Sequence, residues 1–203
     1  MIIVGLIGQT GAGKSSVCQI LAEQGVFVVD GDRVAREITQ TGSPVLDALA
    51  EVFGTDILQE DGSLNRALLA SRAFSSPENT QKLNAVTHPA ITQRALRALA
   101  AAELHGFDAA VFEGAALLES PLRDCCHFFA AVTAPRALRL ARILARDNIS
   151  KEAAEQRMAA QQDAQYYTDA AAVIIRNHPP YDLKEESKKL LGEIERRRAE
   201  ASV

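Results

Sequence analysis

The chain has 203 residues, of which 47% are apolar and 24% charged, with a net charge of −4. That length suits one large domain, or one domain carrying sub-domains, and the weak acidity gives no reason to expect nucleic acid or an anionic membrane as the main partner. No apolar run approaches the ~20 residues a membrane-spanning helix needs, and the apolar start lacks a basic leader and a small-residue cleavage site, so a cytoplasmic protein is expected. Cys18, Cys125 and Cys126 form neither a disulfide framework nor a metal-ligand spacing. They read as reduced thiols, with Cys18 a small buried hydrophobe.

The first element is the apolar run 2–7, read as a buried strand, followed at once by Gly8-Gln-Thr-Gly11-Ala-Gly13-Lys14-Ser15 and a helical stretch from Ser16. This is G-x-x-x-x-G-K-[ST] at a strand–helix junction, the context the pattern requires. Glycines let successive N–H groups turn inward around phosphate oxygens, and the helix adds the positive end of its dipole. Lys14 suits the β- and γ-phosphates, and the Ser15 hydroxyl suits Mg²⁺. A bound nucleoside triphosphate is expected.

Further apolar runs at 26–29, 109–112, 128–132 and 173–175 alternate with helical stretches. Such alternation predicts an α/β fold, a doubly wound parallel five-stranded sheet buried on both faces. Ser43-Pro44 and Ser76-Pro77 mark helix starts, Pro89 opens a long helix ending near Gly106, and Asp182–Glu185 resembles a capping box for a last helix that frays from Glu195. Almost eighty residues separate the second and third strands, far more than a simple crossover needs. The excess reads as a helical substrate insert. The expected division is a nucleotide-binding core at 1–32, 109–135 and 165–203, an acceptor sub-domain at 33–108, and a helical lid at 136–164.

Asp30-Gly31-Asp32 ends the second strand, taken as the neighbour of the first. Residues two apart in extended backbone share a side, so both carboxylates are expected to face the crevice beyond the strand ends. A phosphoryl acceptor hydroxyl needs a carboxylate to orient it and take its proton; Asp32 or Asp30 fits, with Arg36 one turn on to hold an anionic group. The alternative is an Asx turn capping a helix at Asp32. Arg136, Arg139, Arg142 and Arg146 fall on one predicted helix, with Arg142 and Arg146 four apart on a face that suits a closing lid. Each arginine taken singly reads as part of a solvated basic face. D-x-x-G and N-K-x-D elements, and an S-G-G-Q loop, are missing, which excludes GTPase switches and transporter-type ATPases. Phe112-Glu113 is only a weak acidic strand end. A small-molecule P-loop kinase remains.

With these pieces assembled, the chain resembles the dephospho-CoA kinase family over nearly its whole length. The resemblance rests on Gly8–Ser15, Asp30-Gly-Asp32-x-x-Ala35-Arg36, Leu64-Asn-Arg66, Leu83-Asn84 with His88-Pro89, Arg142-x-x-x-Arg146-Asp147, Gln161, and the strand ending at Asn177. It implies transfer of the ATP γ-phosphoryl group to the ribose 3′-hydroxyl of dephospho-CoA, with Mg²⁺ held at Ser15. It implies Asp32, Lys14, Arg142 and Arg146 as catalytic residues. Gly11, Ala12, Gly13, Lys14, Ser15, Ser16 and Asn177 would bind nucleotide, with Asn177 near the adenine. Asp30, Arg36, Arg66, His88 and Leu117 would bind the acceptor, although His88-Pro89 equally suits a plain helix start. Neither nucleic acid nor membrane is implied as a partner, and a monomer or weak homo-oligomer is expected.

Several positions depart from the family pattern. Ala115-Ala116-Leu117-Leu118-Glu119 stands where the family shows Pro-Leu-Leu-x-Glu, Ala170-Ala171 where Ala-Asp is usual, and His178 where glycine is usual; the basic residue usual before the last strand is Tyr167 or thereabouts. Two other readings stay open on the residues: a kinase for a nucleoside monophosphate or another small metabolite, and a nucleotide-binding protein without turnover.

Overall fold

The computed structural model describes residues 1–114 and 116–201. Ala115, one of the departures above, lies outside the described residues, as do positions 202 and 203. The chain forms two compact units, residues 1–29 with 101–203, and residues 30–100.

The first unit is built on a five-stranded sheet: β1 (Ile2–Ile7), β2 (Phe27–Asp30), β3 (Ala109–Glu113), β4 (Phe128–Thr133) and β5 (Val173–Arg176), in the order β2-β3-β1-β4-β5. β1 pairs in parallel with β3 and β4, and β4 with β5, with Leu6 of β1 opposite Glu113 of β3 and Ala130 of β4. The strands are near-continuous apolar runs because helices cover the sheet. On one side, Val17, Cys18 and Leu21 of α1 (Lys14–Glu23) and Leu190 and Ile194 of α9 (Leu183–Ala201) join Val4, Leu6, Val111, Ala130, Val132 and Ile175 in a single core. Each fully buried side chain of this size contributes roughly 1.5–3 kcal/mol. Cys18 is thus a core side chain, 5% exposed. Burial, and then the neighbouring Cys125, push the Cys126 thiol up to about 12, so it stays protonated.

Two details of this unit differ from expectation, and a third agrees with it. β3 lies between β1 and β2, so the second strand is not the neighbour of the first. The last helix does not fray from Glu195: it continues through Ala201, held by Arg196 and Arg197 on Glu193. Asp182 accepts from the N–H of Glu185, as a helix-starting carboxylate should.

The second unit is helical, with α2 (Gly31–Ile38), α3 (Pro44–Phe53), α4 (Arg66–Ala73) and most of α5 (Pro77–Leu104). Leu49, Ala50, Phe53, Ile57, Leu69 and Ala73 form its core. Ser43, Asn65 and Ser76 accept from the N–H groups of Val45, Leu68 and Asn79, fixing three helix starts. Pro89 does not open a helix: it sits inside α5, which starts at Pro77 and accommodates the missing N–H.

Candidate active site

The phosphate loop follows β1 directly, at its carboxyl end. Gly8 and Gly13 have φ of +136° and +97°, and both are tightly enclosed. A Cβ on Gly8 would strike the Val132 carbonyl of β4, and one on Gly13 would strike the Asn177 amide. No other residue fits either place. α1 starts at Lys14, and the N–H groups of a helix's first turn suit an anion. Lys14 Nζ folds back to donate to the Gly8 carbonyl at 3.0 Å.

Inward N–H groups require outward carbonyls, and these have dedicated donors. On α6 (Arg136–Asp147), Arg142 Nη1 donates to the Gly11 and Ala12 carbonyls at 3.3 and 3.2 Å. Its Nη2 donates to the Asn177 carbonyl and Oδ1 at 3.0 and 3.2 Å. Asn177 Nδ2 in turn donates to the Ala12 carbonyl at 2.8 Å. Gln161 Oε1 accepts from the Thr10 N–H at 2.7 Å. Arg142, Asn177 and Gln161 therefore clasp the loop from behind and hold its shape.

Arg142 and Arg146 do not act as one pair here. Arg142 is half-buried against the loop, whereas exposed Arg146 binds Asp147 in a bidentate pair, at 2.6 and 3.0 Å, which Arg157 of α7 (Lys151–Ala159) also joins. The Arg146 hydrogen bond, with help from Arg157 and against some desolvation, holds the Asp147 carboxyl below its ordinary range. Arg139, expected on a solvated face, is 6% exposed.

At the tip of β3, Glu113 accepts from the Ser15 hydroxyl at 3.2 Å through Oε1 and from the Cys18 thiol at 3.4 Å through Oε2. In the sequence Glu113 is only a lone acid at a strand end, a weak signal. Its register opposite Leu6, at the carboxyl end of β1, is what brings it beside the loop. Ser15 and Glu113 are hard oxygen donors of the kind Mg²⁺ takes alongside phosphate and water, so this pair fits the ion. Among the described residues no group of three or more His, Cys, Asp or Glu is poised to hold a metal.

In the other unit, Asp30 and Asp32 do not alternate along a strand. Asp30 caps α2, its Oδ1 accepting from the Arg33 N–H at 3.1 Å, and Asp32 lies in the helix's first turn, exposed. The cap falls on Asp30 and not on Asp32, since the chain passes from strand to helix without a loop. Arg36 stands one turn beyond Asp32, exposed. Arg66, first residue of α4, donates to the buried Thr39 hydroxyl at 3.0 Å, which itself donates to the Ala35 carbonyl. His88 is half-buried within α5. Leu117 is 1% exposed in the core of the first unit, so its side chain is packing and not a ligand contact as it stands. Ser16, like Ser15, is exposed in the first turn of α1.

A parallel sheet, a glycine-rich phosphate loop after its central strand, and a lysine and serine at the helix start define the P-loop class of nucleotide-binding proteins. Similarity to known proteins narrows this. The sequence model of the dephospho-CoA kinase family matches residues 2–181, and the chain belongs to that family. It is 36% identical over 195 residues to the dephospho-CoA kinase of Corynebacterium efficiens, covering 96% of this chain and 98% of that one. The dephospho-CoA kinase structure from Campylobacter jejuni superposes with a TM-score of 0.68 at 25% identity, covering 95% and 96% of the two chains. A Thermus thermophilus crystal structure does so with a TM-score of 0.77 at 30% identity, covering 95% and 97%. No described helix is long and apolar enough to cross a membrane.

Proposed function

We propose that this chain transfers the γ-phosphoryl group of ATP to the ribose 3′-hydroxyl of dephospho-CoA, releasing ADP and CoA. A bond forms between the 3′-oxygen and the γ-phosphorus, the bond from that phosphorus to the β,γ-bridging oxygen breaks, and the hydroxyl proton passes to a carboxylate. The observation that carries this reading is the phosphate loop of Gly8–Ser15, folded with Lys14 and Ser15 in place, in a chain matched by the family from residue 2 to 181.

In this reading the N–H groups of Gly11, Gly13, Lys14 and Ser15 bind the phosphates, and Lys14 neutralises charge that develops on the leaving oxygens. Ser15 and Glu113 would hold Mg²⁺, which would supply positive charge to offset that of the phosphates. Asp32 orients the acceptor hydroxyl and takes its proton; Asp30, engaged with the Arg33 N–H, supports the helix that carries Asp32. Arg36, Arg66 and His88 bind the acceptor's anionic and polar groups. Arg146 is the cation for the transferring group, while Arg142 keeps the loop carbonyls turned away.

The test is a coupled assay with ATP, Mg²⁺ and a panel of acceptors. ADP release with dephospho-CoA, with the product phosphorylated at the 3′-position, is expected. Turnover of a nucleoside monophosphate with none of dephospho-CoA would reject the proposal, and ATP binding without any turnover would leave only a nucleotide-binding protein.

A further inference from the structure

Arg139 is an oddity within the first unit. It lies on α6 one turn before Arg142 and is 6% exposed. Its Nη1 reaches the Thr10 carbonyl at 3.5 Å, the long limit of a hydrogen bond. Its Nε is the one buried side-chain nitrogen or oxygen among the described residues without a partner. Among the described residues Arg139 makes no salt bridge: Arg136, of like sign, adds to the cost of its burial, and Tyr167 is a phenol whose own pKa is raised, first by burial, so it is neutral near pH 7. Burial pushes the guanidinium's pKa down, yet arginine does not give up its proton in a protein.

A buried cation without a counter-charge destabilises a fold, and an apolar side chain of similar volume does better. Packing alone therefore does not account for Arg139. The backbone at this position already makes the steric contact: the Arg139 carbonyl and Cα stand 2.6 and 3.0 Å from where a Gly11 Cβ would be. The guanidinium, by contrast, reaches the Thr10 carbonyl, which precedes in sequence the Gly11 and Ala12 carbonyls that Arg142 holds. Two cations thus line the outer side of three successive loop carbonyls.

We infer that Arg139 is a positioning residue of the phosphate loop whose uncompensated buried charge is balanced by the polyphosphate of the bound nucleotide. The cation weakens the empty protein and strengthens the loaded one. It acts through the loop and through Coulomb attraction at a distance, without touching substrate. The inference rests on the nucleotide reading of the loop.

R139M, R139Q and R139K would be compared with wild type by thermal melting without ligand and by calorimetric titration with ATP, ADP and adenosine. Removing the charge in R139M is expected to raise the ligand-free Tm by about 2–4 °C. It is expected to weaken ATP about tenfold, ADP less, and adenosine within about twofold. R139K should keep ATP affinity within about threefold. R139Q gives the same comparison with a polar, uncharged side chain, should R139M fold poorly. Unchanged ATP affinity in R139M or R139Q would overturn the inference. So would a lower Tm with ATP and adenosine weakened alike, the signature of lost packing. A wild-type protein that does not bind ATP would instead sink the nucleotide reading; normal wild-type binding with an indifferent R139M sinks only the role of the charge.

Discussion

Asp30 and Asp32, two positions apart, stand in different surroundings. Asp30 spends an oxygen on the Arg33 N–H, whereas Asp32 sits exposed in the first turn of α2, its carboxylate one turn before Arg36. Asp32→Asn should therefore keep ATP affinity while lowering turnover by about 10²–10⁴, the usual worth of a positioned base. Asp30→Ala should instead lose the cap, at about 0.5–2 kcal/mol, and register as a lower Tm. Steady-state rates and melting curves of the two variants separate the roles. Near-normal turnover in Asp32→Asn removes that residue from the mechanism. The two aspartates were legible in the sequence as a pair at a strand end. Their different surroundings were not, because period-two alternation stops where a helix follows the strand with no intervening loop. Glu113 was missed for a related reason: its partners Ser15 and Cys18 lie 98 and 95 positions away, and only the β1–β3 register brings them together.

At the scale of elements, continuous apolar runs made the strands readable, since burial on both faces leaves little room for polar residues. Helices were less so. Pro89 looked like a start, yet α5 runs through it, and Ala95, Leu99 and Ala102 further along are buried. The four arginines of α6 look alike in sequence, and only packing against the loop distinguishes buried Arg139 from exposed Arg146. The tail of α9 shows what holds an end that charge alone suggested would fray. Glu193 accepts from Arg196 and Arg197, and Arg197 also lies over the Phe128 ring, 4.4 Å from its centroid. Arg196 first, then Arg197, bring the Glu193 carboxyl down to about 2, burial opposing them. A carboxyl whose folded value lies below its ordinary value of about 4.3 stabilises the fold fully above that value, and the contribution fades as pH falls toward 2. Melting curves between pH 5 and pH 2 should thus show a steeper loss of stability in wild type than in Glu193→Gln. Parallel curves would mean that the cluster adds nothing to the helix.

For the molecule as a whole, the proposed function divides labour between the two compact units, and that division has a measurable consequence. A ligand that binds only the folded state stabilises it by RT ln(1 + [L]/Kd), about 2.7 kcal/mol at a hundredfold excess over Kd. Amides that exchange through local openings slow only where the ligand bears on those openings. ATP is assigned to the loop of the first unit, so its protection should concentrate at residues 8–18 and on α6 and the stretch around Asn177, whose side chains hold the loop carbonyls. Dephospho-CoA is assigned to Arg36, Arg66 and His88, so its protection should fall on α2, the start of α4 and the middle of α5. Hydrogen exchange read by mass spectrometry, with each ligand added alone, distinguishes these patterns peptide by peptide. Uniform slowing by ATP across both units would show that the openings are global and carry no information on placement. Protection of the 8–18 peptide by dephospho-CoA alone, with none on α2 or α4, would contradict the assignment of the acceptor to the helical unit while leaving the phosphate loop's role intact.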